Sequence, residues 1–125
     1  MREQFSLYRL ITALQSCRPN VPIIYDFGIY PANAASYRGD YSELAFGFKS
    51  EPTTVQELLD VASAALGAVF EGYKGGQYYM GKNTRVWASA WGYYSGLQIV
   101  GLRENKDSVT ILTQHEDGDG DVEID

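Results

Sequence analysis

The stretch Gly75–Gln114, "GGQYYMGKNTRVWASAWGYYSGLQIVGLRENKDSVTILTQ", decides the fold class. It is rich in β-branched and aromatic residues, which favour a pleated surface. Four β-like segments stand out within it: Gln77–Met80, Arg85–Trp91, Leu97–Arg103 and Ser108–Gln114. Short turn-like separators divide them: Gly81-Lys82-Asn83, Tyr94-Ser95-Gly96 and Glu104-Asn105-Lys106-Asp107. Separators of that length join antiparallel neighbours, so a four-stranded antiparallel meander is expected.

Working back along the chain, "EPTTVQELLDVASAALGAVF" (Glu51–Phe70) is a helix with Thr54 as N-cap and Glu57 completing a capping box. Its broad stripe of Val55, Leu58, Leu59, Ala62, Ala65, Leu66 and Val69 suits close packing on a sheet. Gly72 is the expected left-handed cap. In "FSLYRLITALQSC", Leu7, Leu10, Ile11 and Leu14 recur at helical spacing, and Arg18-Pro19-Asn20 ends that helix. Between the helices, "VPIIYDFGIY" reads as one strand, "PANAASYRGD" as a loop and "YSELAFGF" as a second strand. The whole is an α+β domain, residues 1–114, with two helices packed on a mainly antiparallel sheet. Residues 115–125 are expected to be a disordered acidic tail.

That tail explains the charge. The formal net charge is −6, yet Glu116, Asp117, Asp119, Asp121, Glu123 and Asp125 supply six of the 16 acids, leaving ten acids against ten lysines and arginines in the body. A neutral body argues against a DNA mimic and against binding of a DNA or RNA duplex. Asp117, Asp119 and Asp121 superficially resemble a calcium loop, but the central glycine is misplaced and no glutamate stands at the twelfth position. Cys17 and His115 occur once each, so no cysteine-based metal site is expected, nor any other metal or cofactor. No apolar run approaches the ~20 residues of a membrane span, and the first residues are too polar and periodic for a secretory signal. The expected location is the cytoplasm.

Two stretches place a tyrosine, a cation and glycine together: Tyr37-Arg38-Gly39, followed by Tyr41, and Tyr73-Lys74-Gly75-Gly76. Tyrosine can stack on a base, the cation can meet a phosphate, and glycine opens backbone N–H groups to oxygens. Tyr78 and Trp91 add aromatic surface nearby in sequence. A purely structural reading competes with this one. Gly75-Gly76 would then be a helix-to-strand connection, Tyr37 a plug at the sheet edge, and Arg38 a partner of Asp40 or Glu43. Arg38-Gly39-Asp40 also spells an adhesion tripeptide, which three residues match by chance. No Walker loop, nucleophile elbow or histidine-carboxylate metal set is present, and no spacing marks Asp26, Asp40 or Glu43 as an acid-base pair.

At "SYRGDYSELAFGF", "TVQELLDVASAALGAVFEGYKGGQYYM" and "VWASAWG" the sequence resembles a widespread group of short bacteriophage proteins, over approximately residues 22–114. It is similar to the phage anti-CBASS sponge proteins, small oligomers that sequester cyclic dinucleotide immune signals without cleaving them. The resemblance implies a non-enzymatic, cytoplasmic immune-evasion protein acting in an infected bacterium. The resemblance falls on Tyr37, Arg38 and Gly39 and on Tyr73, Lys74, Gly75 and Gly76; with the aromatics Tyr41, Tyr78 and Trp91, read from the residues themselves, these are the expected ligand-binding residues. A homo-oligomer would match a ligand with two similar halves. A protein-binding inhibitor of a host defence enzyme, working through exposed aromatics and the acidic tail, is the alternative.

Overall fold

The computed structural model describes residues 2–37, 43–71, 75–90 and 93–116. Helix α1 spans Leu7–Gln15 and helix α2 spans Val55–Ala65. The strands are β1 (Pro22–Tyr25), β2 (Tyr30–Ser36), β3 (Leu44–Lys49), β4 (Thr53–Thr54), β5 (Val69–Glu71), β6 (Gln77–Tyr79), β7 (Val86–Ala88), β8 (Leu97–Glu104) and β9 (Val109–His115).

Both helices start as their sequences dictate. The Ser6 hydroxyl accepts from the Arg9 backbone N–H, while Thr54 and Glu57 exchange both bonds of the capping box at 3.1 and 3.0 Å. Leu7, Leu10, Ile11 and Leu14 of α1 meet Val55, Leu58, Ala62 and Ala65 of α2 in one core with the inward residues of the sheet. Helix α2 ends earlier than its apolar stripe suggests. Gly67, at φ +84°, takes the left-handed conformation that turns the chain, so Val69–Glu71 leaves as a strand. The expected cap, Gly72, lies outside the described residues.

Seven strands form one mixed sheet in the order β2-β3-β7-β8-β9-β1-β4. The β7-β8-β9 portion is the expected antiparallel meander, but the fourth segment is not part of it. Strand β6 pairs with β5 in a separate two-stranded ribbon. Two contacts are parallel, β3 with β7 and β1 with β9. The run "VPIIYDFGIY" is two strands, because Gly28 at φ +96° closes a turn after Tyr25. The expected loop "PANAAS" is most of β2, paired with β3. His115 ends β9, and the Glu116 N–H donates to the Gly96 carbonyl at 2.8 Å, so the fold extends two residues past the expected boundary.

The sheet curls until its edges meet. Tyr25 of β1 sends its hydroxyl across the core to the Phe46 carbonyl of β3 at 2.7 Å, and Thr53 of β4 donates to Pro31 of β2 at 2.8 Å. Burial pushes the Tyr25 phenol far above its ordinary range, so it stays a neutral donor. Where β7 and β8 diverge, residues 4–6 are wedged between them. Phe5 donates to the Ile99 carbonyl and accepts from the Val86 N–H, while the Gln4 side chain donates to the Val86 carbonyl.

Candidate functional site

Successive residues of a strand face opposite sides, so the Leu44 and Phe46 side chains enter the main core and Ala45 points outward. Trp87 is the register partner of Ala45 and shares that outer face. Tyr37, the first residue after β2, lays its ring flat on Trp87, with centroids 4.2 Å apart and planes 3° apart. The two rings are only 1% and 5% exposed. The Tyr37 hydroxyl accepts from the buried Gly96 N–H at 2.9 Å, and the Trp87 indole N–H donates to Glu43 Oε1 at 2.7 Å. Tyr37 N–H also donates to the Glu43 carbonyl at 2.7 Å. Tyr37 is therefore a buried structural anchor, with one ring face covered by Trp87.

The second quoted stretch sits at the tip of the β5–β6 ribbon, whose last register pair is Glu71 with Gln77. Gly75 adopts φ +87°, a conformation that side chains resist. A Cβ on Gly76 would lie 3.0 Å from the Tyr78 hydroxyl, so Tyr78 folds its ring back over Gly76 and toward the core. Arg38, Gly39, Tyr41, Tyr73, Lys74 and Trp91 lie outside the described residues.

A cleft of about 410 Å³ opens between the two neighbourhoods, lined by Glu43, Tyr79, Gly81, Lys82, Asn83, Thr84 and Arg85. Glu43 closes the 38–42 segment, and Tyr79 ends the strand that leaves the Gly75-Gly76 turn. The floor is a tight turn in which the Gly81 N–H donates to Thr84 Oγ1 at 2.8 Å and the Thr84 N–H returns to the Gly81 carbonyl. Tyr79 is 64% exposed, and its ring lies where a Cβ on Gly81 would stand at 3.2 Å. Lys82 holds its ammonium 4.9 Å from the Tyr8 ring centroid, a cation–π contact that keeps the charge at the rim. The Arg85 carbonyl accepts from Leu44 N–H, fixing this arginine beside the end of the 38–42 segment. Among the described residues neither Lys82 nor Arg85 forms an ion pair. Beyond Arg85 and Asn83 a second depression, about 290 Å³, is lined by Glu3, Gln4, Ser6 and Arg9.

Lys82 and Arg85 were not among the residues the sequence singled out. The signal was there, since Tyr79-Met80-Gly81-Lys82 again gathers tyrosine, glycine and a cation, but Gly81-Lys82-Asn83 also reads as an ordinary turn. A depression of about 540 Å³ lies on the outer face of β8 and β9 and, among the described residues, is lined by neither stretch. Among the described residues no group of three histidine, cysteine or carboxylate side chains could hold a metal ion, and no helix is long and apolar enough to cross a membrane. No family model, curated protein or solved structure matches the chain.

Proposed function

We propose that the protein is a phage anti-defence protein that binds and sequesters a nucleotide immune signal, with a cyclic dinucleotide as the first ligand to test. In this reading it works in the cytoplasm of the infected cell as a homo-oligomer. One observation carries the reading. Two cations that form no ion pair among the described residues, Lys82 and Arg85, line a cleft with an exposed tyrosine, Tyr79, and with Glu43. A phosphate meeting both cations gains charge-assisted hydrogen bonds, and a base gains the Tyr79 face. Among the described residues the one carboxylate lining the cleft, Glu43, accepts from the Trp87 N–H and is held against the wall. Sequestration asks for tight ground-state binding and no transition-state machinery.

The test is calorimetric titration of the purified protein with a panel of cyclic dinucleotides, followed by chromatographic recovery of the nucleotide. Saturable heat with intact nucleotide supports sequestration, and a hydrolysed product rejects it. A hydrogen bond to a charged group contributes about 1.5–3 kcal/mol, so Arg85→Ala and Lys82→Ala should each weaken binding roughly 10- to 150-fold. Wild-type affinity in both variants would remove the cleft from the reading. Tyr93 and Tyr94, 71% and 54% exposed, favour the second reading, a protein-binding inhibitor. Capture of a host enzyme that Tyr93→Ala abolishes, with no nucleotide bound, would put that reading first.

A further inference from the structure

The outer face of β8 and β9 carries the depression of about 540 Å³, lined by Arg2, Asp26, Val100, Leu102, Arg103, Leu112, Thr113 and Gln114. Its chemistry is lopsided. The Arg2 backbone is gripped at two points by the Gln114 side chain, which accepts from the Arg2 N–H at 3.2 Å and donates to the Arg2 carbonyl at 2.6 Å. That grip lays the guanidinium over Gly101, where a Cβ would stand 3.1 Å from Nη1. Arg103 makes one long contact, Nε to Asn105 at 3.4 Å. Neither arginine forms an ion pair among the described residues. The one carboxylate lining the cleft among the described residues, Asp26, is occupied by Thr113, accepting from its N–H at 2.8 Å and its hydroxyl at 2.7 Å.

Two guanidiniums without ion-pair partners among the described residues thus stand beside a strand that continues into the most acidic part of the chain. Residues 117–125 hold Asp117, Asp119, Asp121, Glu123 and Asp125 and no cation. Gln114 already lines the cleft, and Arg103 is level with Thr110 in the β8–β9 register. Folding back from Glu116 to that level takes about 20 Å at ~3.4 Å per strand residue. Nine residues reach roughly 30 Å when extended. We infer that this cleft docks the chain's own acidic segment, residues 117–125, whose carboxylates meet Arg2 and Arg103. Docked there, the segment holds its charges on a face other than that of the Lys82–Arg85 cleft. The inference stands on charge and chain geometry and does not depend on any nucleotide.

The test uses the full chain. Backbone amide resonances of Gly101, Leu112 and Thr113 are compared between the wild type and a variant with D117N, D119N, D121N, E123Q and D125N together. Docking predicts that these resonances shift on neutralisation. Raising salt from about 0.01 M to 1 M, which shortens the screening length from ~30 to ~3 Å, should move them the same way. In an Arg2→Ala, Arg103→Ala double variant, neutralising the segment should shift nothing. Unmoved cleft resonances overturn the inference, as do shifts confined to Lys82–Arg85. A response that grows with protein concentration would assign the occupant to another copy and equally refute docking within the chain.

Discussion

Replacing Tyr37 by phenylalanine deletes one oxygen from a buried junction and leaves the ring on Trp87. The lost atom is the acceptor for the Gly96 N–H, 2.9 Å away and closed off from water. An orphaned buried donor costs about 1–3 kcal/mol, while the retained ring stack keeps its ~0.5–1.5 kcal/mol. For a chain of this length each kcal/mol lowers the melting temperature by roughly 3–6 °C, so Tyr37→Phe should melt about 3–18 °C below the wild type. Tyr37→Ala also removes the ring, and large aromatic truncations cost ~3–5 kcal/mol. The assay pairs thermal unfolding with nucleotide titration below the transition. If Tyr37 is an anchor, Tyr37→Phe loses stability and keeps affinity to within a few-fold. Wild-type melting together with a tenfold loss of affinity would refute the anchor and make the phenol a ligand contact.

Thr54→Ala removes the acceptor half of the α2 capping box and should lower unfolding free energy by about 1 kcal/mol in a urea titration. Gly75→Ala meets no neighbour within 4 Å, so its cost is backbone strain alone, about 1–2 kcal/mol by the same measurement; no loss would contradict the left-handed turn. The Cys17 thiol is held above its ordinary pKa, first by burial and then by the Glu104 carboxylate, so a thiol reagent should label native protein more slowly than unfolded protein near neutral pH. The sign of the linkage follows. With the folded pKa above the unfolded one, this thiol's contribution to stability is intact below the unfolded value and declines as pH rises through the alkaline range toward the folded one.

Which features were legible depended on whether the responsible residues were neighbours in sequence. The α2 start was legible because Thr54 and Glu57 carry the whole cap. Its end was not, since two glycines competed and only the tertiary path of β5, drawn to Met80 by bonds at 2.7 and 2.9 Å, selects Gly67. Strand β2 was hidden by alanine, asparagine and serine, which have little strand preference of their own; pairing with β3 overrides it. The parallel contacts of β1 and β3 leave no periodic trace, because order within a sheet is not written in alternation. In the candidate site the same rule holds. The tyrosine-glycine character of both stretches could be seen locally, whereas the burial of Tyr37 depends on Trp87 and Gly96, far along the chain.

The wedge of residues 4–6 has a kinetic consequence. Gln4 meets Val86 across 82 positions, and Arg2 meets Gln114 across 112. Closing such separations comes late, because loop entropy must be overcome before the contact returns anything. Residues 2–6 thus find their places late in folding, after the strands they join have formed. Until then β7 and β8 diverge around an unfilled gap, with the Val86 N–H and the Ile99 carbonyl free to accept a strand from any neighbouring molecule. Deleting residues 2–6 should leave that gap open and raise the aggregated fraction.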